Sequence, residues 1–221
     1  MKLAPPERCN AREAPESFGK YAAYAGRRDQ SDSLSAGPKK YLAPMSSLDI
    51  RVTERPDLTS DDRLAEILAN PGFGVHMTDH MLTVEWTPDQ GWHDARIGAY
   101  GPLTLDPASA VLHYAQEIFE GMKAYRHDDG SVWTFRPEAN GERMRHSSRR
   151  LALPELPVED FVATVDALVE VDQRWVPEST GEKSLYLRPF MFASEKFLGV
   201  RPAKHVTFMA VSYTHLTLPT N

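Results

Sequence analysis

The sequence predicts a mixed α and β fold, an α/β domain in layers that is closer to α+β than to a regular βαβ alternation. Three observations carry this. "MKAYRHDDGSVWTFR" sets two apolar-alternating segments around Asp129-Gly130, a dipeptide suited to positive backbone φ and therefore to a hairpin. "PVEDFVATVDALVEVDQRW" puts Phe161, Val165 and Leu168 on one face of a helix, with acids near its start. "SLYLRPFMFA" and "HVTFMAVS" read as two strands rich in β-branched and aromatic residues. Sheet and helix each need a partner for an apolar face, which suggests a sheet flanked by helices such as the one over 158–171.

Residues 1–44 are rich in Ser, Pro, Gly, Ala and charge and lack a hydrophobic period. They read as a disordered leader, or as an extension upstream of a start at Met45. This leader has a surplus of about three positive charges, and the rest of the chain is close to -9. In "SDDRLAEILANPGFG", Ser60 is a candidate N-cap, Leu64, Ile67 and Leu68 have helical spacing, and Asn70-Pro71-Gly72 stops the helix. "HMLTVEW" follows as a strand, and "ARIGAYGPLTL" reads as a turn-rich passage. "DPASAVLHYA" opens with Asp106 as expected N-cap and Pro107 at the first helical position. After the hairpin, "RPEANGERMRHSSRRL" looks helical and basic, with Gly141 a weak point.

Composition narrows the function. A chain of 221 residues can bury a core, and its 41% hydrophobic and 25% charged content is ordinary for a globular protein. A net charge of -6 argues against nucleic acid as a partner. No apolar run reaches a membrane span and the first thirty residues lack a signal-peptide core, so a cytoplasmic protein is expected. A single cysteine, Cys9, excludes an internal disulfide and a cysteine-based metal cluster. His76 and His80 have an i, i+4 spacing, but in an extended segment they are too far apart to share an ion, and no metal is expected. Dinucleotide, P-loop and nucleophile-elbow patterns do not occur.

Two groups of residues could carry chemistry. Arg143, Arg145, Arg149 and Arg150 lie on the basic helix, where an arginine fork suits a phosphate dianion, although such a helix also makes an ordinary solvated face. Tyr186 and Arg188 are two apart on a strand and share a face. A phenol beside a guanidinium can hold a carboxylate or order a pocket, or can be the outer face of an edge strand that Pro189 limits.

Taken together, "LHYAQEIFEGMKAYR", "FRPEANGERMRHSSRRLALPELP", "VDQRWVP", "SLYLRPFMFASE" and "LGVRP" resemble the branched-chain aminotransferases, pyridoxal-phosphate enzymes of fold type IV. The resemblance covers about 46–210, so the small N-terminal domain of such an enzyme is expected over 45–210. It implies that Arg143 anchors the 5′-phosphate of pyridoxal phosphate. It also implies that Phe119, Tyr114, Tyr186, Leu198 and Val200 line a pocket for a Leu, Ile or Val side chain, some of them across a homodimer interface, with Arg188 organising its mouth. The implied substrates are small amino acids and 2-oxo acids, with the amino group moving between leucine, isoleucine or valine and 2-oxoglutarate.

The resemblance also bears on Lys123, which sits beside an acid, a glycine and two tyrosines in "YAQEIFEGMKAYR". The family's Schiff-base lysine lies in a second, larger domain before a Phe-Gly-Gly-Asn run, a context that Lys123, Lys183, Lys196 and Lys204 lack. Lys123 is therefore expected to be structural, and no catalytic residue is assigned within this chain. The tail "VSYTHLTLPTN", residues 211–221, resembles nothing in the family and looks like the translation of a sequencing-library adapter. On that expectation the chain is a fragment that is inactive alone. Two other readings stand beside this one: a different class IV enzyme, such as a D-amino-acid aminotransferase or an aminodeoxychorismate lyase, and a non-catalytic oligomerisation module.

Overall fold

The long amphipathic helix organises the fold. Designated α4, it runs from Val158 to Val171 and buries Phe161, Val165 and Leu168 completely, as their spacing requires. Each such side chain contributes roughly 1.5–3 kcal/mol by leaving water. The protein is described by a computed structural model over residues 39–41, 46–178 and 183–216. Most of the 1–44 leader lies outside the described residues. Its segment Lys39–Tyr41 is strand β1, paired antiparallel with β2, Ile50–Val52.

Beside α4 packs α3, Pro137–Arg150, with Pro137 at its first position. Gly141, the weak point of the sequence reading, lies where the two helices meet. A Cβ there would come within 3.1 Å of Val158 and 3.2 Å of Phe161, so the missing side chain is what lets the helices approach.

Both helices cover one face of a curled ten-stranded sheet. After β2 come β5 (Gly91–Ala99), β4 (His80–Thr87), β10 (Val206–Leu216), β9 (Lys183–Ala193), β7 (Met122–Arg126) and β8 (Val132–Thr134), in that spatial order. Strand β3, Phe73–Met77, also pairs with β10, and β6, Glu117–Phe119, pairs with β9. All these pairings are antiparallel except β2 with β5. Along β9 and β10, Leu185, Leu187 and Met191 face the helices with Phe208 and Ala210, all essentially without solvent contact. The alternate residues Tyr186, Arg188 and Phe190 point to the other, uncovered face and are only half-buried.

Several expectations need correction. The passage 95–99 is the second half of β5 and not turn, because Ala95 and Ile97 alternate into the core. Asp106 does not cap a helix. Its carboxylate accepts from the Ala108 amide at 2.8 Å in a preceding turn, and α2 (Ala110–Tyr114) starts after Ser109. The expected helix stop at Asn70-Pro71-Gly72 holds, but the residues directly after it, Phe73–Met77, form a further strand, β3. Of the 211–221 tail, 211–216 continue β10 in register with β9, and 217–221 lie outside the described residues. Ser60 does cap α1 (Asp61–Ala69), and the hairpin at Asp129-Gly130 joins β7 to β8 with Gly130 at φ 82°.

Buried polar groups fasten the loops to this frame. The His80 ring receives the Arg55 amide on Nε2 at 2.9 Å and meets Asp172 Oδ1 through Nδ1 at 2.7 Å. This pairing assigns the proton to Nδ1. The His80 ring is fully engaged, and His76 is on a different strand. Asp160, in the first turn of α4, accepts from Ser46 Oγ, Ser47 N and Ser47 Oγ at 2.8–2.9 Å and ties the 46–49 segment to the helix.

Candidate functional site

The uncovered face of the sheet carries the first half of the site. Strand parity brings Tyr186 and Arg188 onto it, and β6 pairs with β9 so that Phe119 lies opposite Phe190. The Arg188 guanidinium sits 4.3 Å from the Phe119 ring centroid and 5.3 Å from that of Tyr186. One Nη of Arg188 donates to the Tyr186 hydroxyl at 3.1 Å, while its Nε is buried with no hydrogen-bond partner among the described residues. Phe119 remains mostly exposed. Three of the residues expected at a substrate pocket thus meet as one cluster.

The other three do not join it. Tyr114 ends α2, exposed, just before Ala115 turns into the left-handed region at φ 48°. Leu198 and Val200 project into solvent from the loop 194–205. That loop is fastened at its base: Ala110 donates its amide to Glu195 O at 2.9 Å and Phe197 donates to Ala108 O at 3.1 Å. Arg201 pairs with Glu195 at 2.7 Å and stacks on Phe197 at 3.9 Å. These contacts set the loop against the start of α2.

The second half of the site is on α3. Arg143 reaches Glu120 with both arms of its fork, Nε to Oε1 at 3.1 Å and Nη2 to Oε2 at 2.5 Å. These hydrogen bonds hold the guanidinium firmly protonated. Glu120 is 6% exposed, and Asn140 Nδ2 donates to its Oε2 at 2.8 Å. Arg143 is itself 64% exposed. A guanidinium carries five N–H donors and Glu120 takes two, so three remain. Arg143 lines a shallow concavity of about 650 Å³ together with Arg136, His146 and Arg149, and with Glu138 and Glu142. A phosphate dianion fits this donor set, with Arg143 as one contact among those such a group needs.

Residues 119–121 join the two halves. Phe119 belongs to the aromatic cluster and Glu120 to Arg143. Gly121 serves both, since its carbonyl accepts from Asn140 at 3.2 Å and a Cβ on it would lie 2.2 Å from the Tyr186 hydroxyl. The Glu120 amide donates to Pro189 O at 2.8 Å, which fixes the junction to β9. Sequence reasoning missed Glu120, Asn140 and Gly121. The acid–glycine pair before Lys123 was the available signal, but its partner on α3 is 23 residues away. Lys123 lies on β7 opposite Tyr186.

Among the described residues, no helix is long and apolar enough to cross a membrane. No family model matches the chain. The probable branched-chain-amino-acid aminotransferase of Streptomyces coelicolor is 62% identical over 153 residues, covering 69% of this chain and 42% of that protein. The branched-chain-amino-acid aminotransferase of Mycolicibacterium smegmatis is 51% identical over 165 residues, covering 75% of this chain and 45% of that one. The solved branched-chain aminotransferase of Thermoproteus uzoniensis superposes at a TM-score of 0.46 and 20% identity, covering 59% of this chain and 40% of that one. The chain spans somewhat less than half the length of the curated relatives it matches. Over that shared stretch the chain is similar in sequence to the branched-chain-amino-acid aminotransferases.

Proposed function

We propose that the chain is the small-domain part, residues 45–210, of a pyridoxal-phosphate-dependent enzyme moving an amino group between a branched-chain L-amino acid and 2-oxoglutarate. The observation that carries this reading is the 62% identity over 153 residues to the Streptomyces relative. The geometry supports it. Phe119 and the Tyr186 ring offer an apolar surface to a branched aliphatic side chain, worth ~0.8 kcal/mol for each CH₂ buried. Beside them Arg188, whose buried Nε has no acceptor among the described residues, favours an anionic group such as a substrate carboxylate.

Pyridoxal phosphate, when bound, supplies the electron sink for the transfer. Arg143 would hold its phosphate and Phe119, Tyr186 and Arg188 would orient the substrate. The reactive lysine belongs, on this reading, to a further domain. Leu198 and Val200, carried into solvent on a fastened loop, and Tyr114 would complete the pocket in a homodimer. The setting is cytoplasmic.

The test is a substrate panel on the complete protein with 2-oxoglutarate as acceptor. Turnover of leucine, isoleucine and valine well above D-alanine is expected. Turnover confined to D-amino acids, or to aminodeoxychorismate cleavage, overturns the reading.

A further inference from the structure

We propose that Glu120 is the positioning residue for Arg143, fixing the direction in which that guanidinium presents its free donors to the phosphate of the cofactor. The inference rests on the phosphate-anchor reading of Arg143 and goes beyond it.

A carboxylate beside an anion site is on its face unfavourable, since it cancels part of the positive potential that draws the phosphate. Nevertheless the structure buries this carboxylate and gives it three donors. Oε1 takes Arg143 Nε, and Oε2 takes both Arg143 Nη2 and Asn140 Nδ2. The carboxylate is thus held by Asn140 on the same helix and, through its own amide, by Pro189 O of β9. The arginine is the long, flexible member of the pair and the glutamate the fixed one. A two-point fork removes the rotational freedom that a solvent-exposed arginine otherwise has, so less is lost when a ligand immobilises it. Nη1 and one N–H of Nη2 are not engaged by Glu120, and Arg143 lines the concavity together with Arg136, His146 and Arg149.

Two effects therefore compete, and they predict opposite signs. If Glu120 acts only through its charge, neutralising it strengthens phosphate binding. If it positions Arg143, neutralising it weakens binding. Glutamine keeps the shape but can accept on one side only, so it breaks the fork.

The experiment is a double-mutant cycle in the complete protein with Glu120→Gln, Arg143→Ala and the pair. Its readouts are the dissociation constant of pyridoxal 5′-phosphate and the phosphorus-31 shift of the bound phosphate. Urea midpoints report the fold of each variant. Glu120→Gln is expected to weaken binding about three- to tenfold and to move the phosphorus signal. On the Arg143→Ala background it should add nothing, an outcome a merely structural role does not give. Tighter or unchanged binding in Glu120→Gln, or additive losses in the cycle, overturns the positioning role. Unchanged binding in Arg143→Ala overturns the phosphate-anchor reading itself, which separates the two failures. Should Glu120→Gln lower stability, Asn140→Ala loosens the carboxylate without touching the fork. It must then produce a smaller loss in the same direction, or the proposal fails.

Discussion

The two faces of the central sheet are built from the same strands to different rules. The helix-covered face is aliphatic, with Leu185, Leu187, Leu82, Val84 and Ile97 at 0% exposure and Phe161 of α4 packed on Phe208 at 6.0 Å between ring centroids. The opposite face is aromatic and cationic, half-buried, with Arg188 stacked on Phe119 and its Nε without a partner among the described residues. Alternation along a strand lets neighbouring residues belong to these two regimes without compromise. Stability concentrates on one side and an unsatisfied surface is kept on the other.

Substitutions can break that division. The largest effect is expected from Phe161→Ala, which empties a fully buried site where α4 meets both Phe208 and the gap at Gly141. It should cost about 3–5 kcal/mol in urea unfolding. A loss below about 1 kcal/mol would mean that the helix-covered face is not where stability resides.

Next comes Asp166 of α4, partly buried and within electrostatic reach of Glu138 on α3. Burial first, then the like charges of Glu138 and Glu170, push its pKa up to about 7. The folded state therefore holds a proton that the unfolded chain gives up near its ordinary value of 3.8. Stability from this group is greatest below about pH 4 and declines as pH rises to about 7, then levels off. Asp166→Asn should remove that decline, gaining about 1–2 kcal/mol at pH 8 and less at pH 5, as followed by thermal unfolding. A gain independent of pH would contradict the assignment.

The smallest effect on stability is expected on the open face. Phe119→Ala should cost below about 1 kcal/mol, since most of the ring already meets solvent, while lowering discrimination for branched substrates in the complete protein. An unaltered substrate profile, or a loss as large as that of Phe161→Ala, would erase the distinction between the faces.

Much of the frame was legible beforehand. The helix over 158–171 has its expected bounds, Ser60 caps its helix, and the Asp129-Gly130 hairpin forms. In each case the determinant is local: periodicity, a capping side chain, a turn dipeptide. Strand parity likewise placed Tyr186 and Arg188 together. What escaped depends on distant partners. β3 forms because β10 is available to pair with it, and Asp106 bonds to its own turn where a helix cap was expected. Glu120 has meaning only once β6 lies under α3, and Leu198 and Val200 remain in solvent apart from the cluster they were expected to join.

Gly141 and Arg143 are two residues apart on α3, one facing α4 and the other reaching Glu120. The hydrogen atom that serves as the side chain of Gly141 therefore acts as a gauge: it sets how deep the helix seats, and so how far an arginine on its outer side must extend. An added methyl group would require Val158 and Phe161 to give by a few tenths of an ångström, and any part of that taken up by the helix would detune the Arg143–Glu120 fork from behind. The seat of an interior glycine and the reach of a surface guanidinium are thus two ends of one helix position.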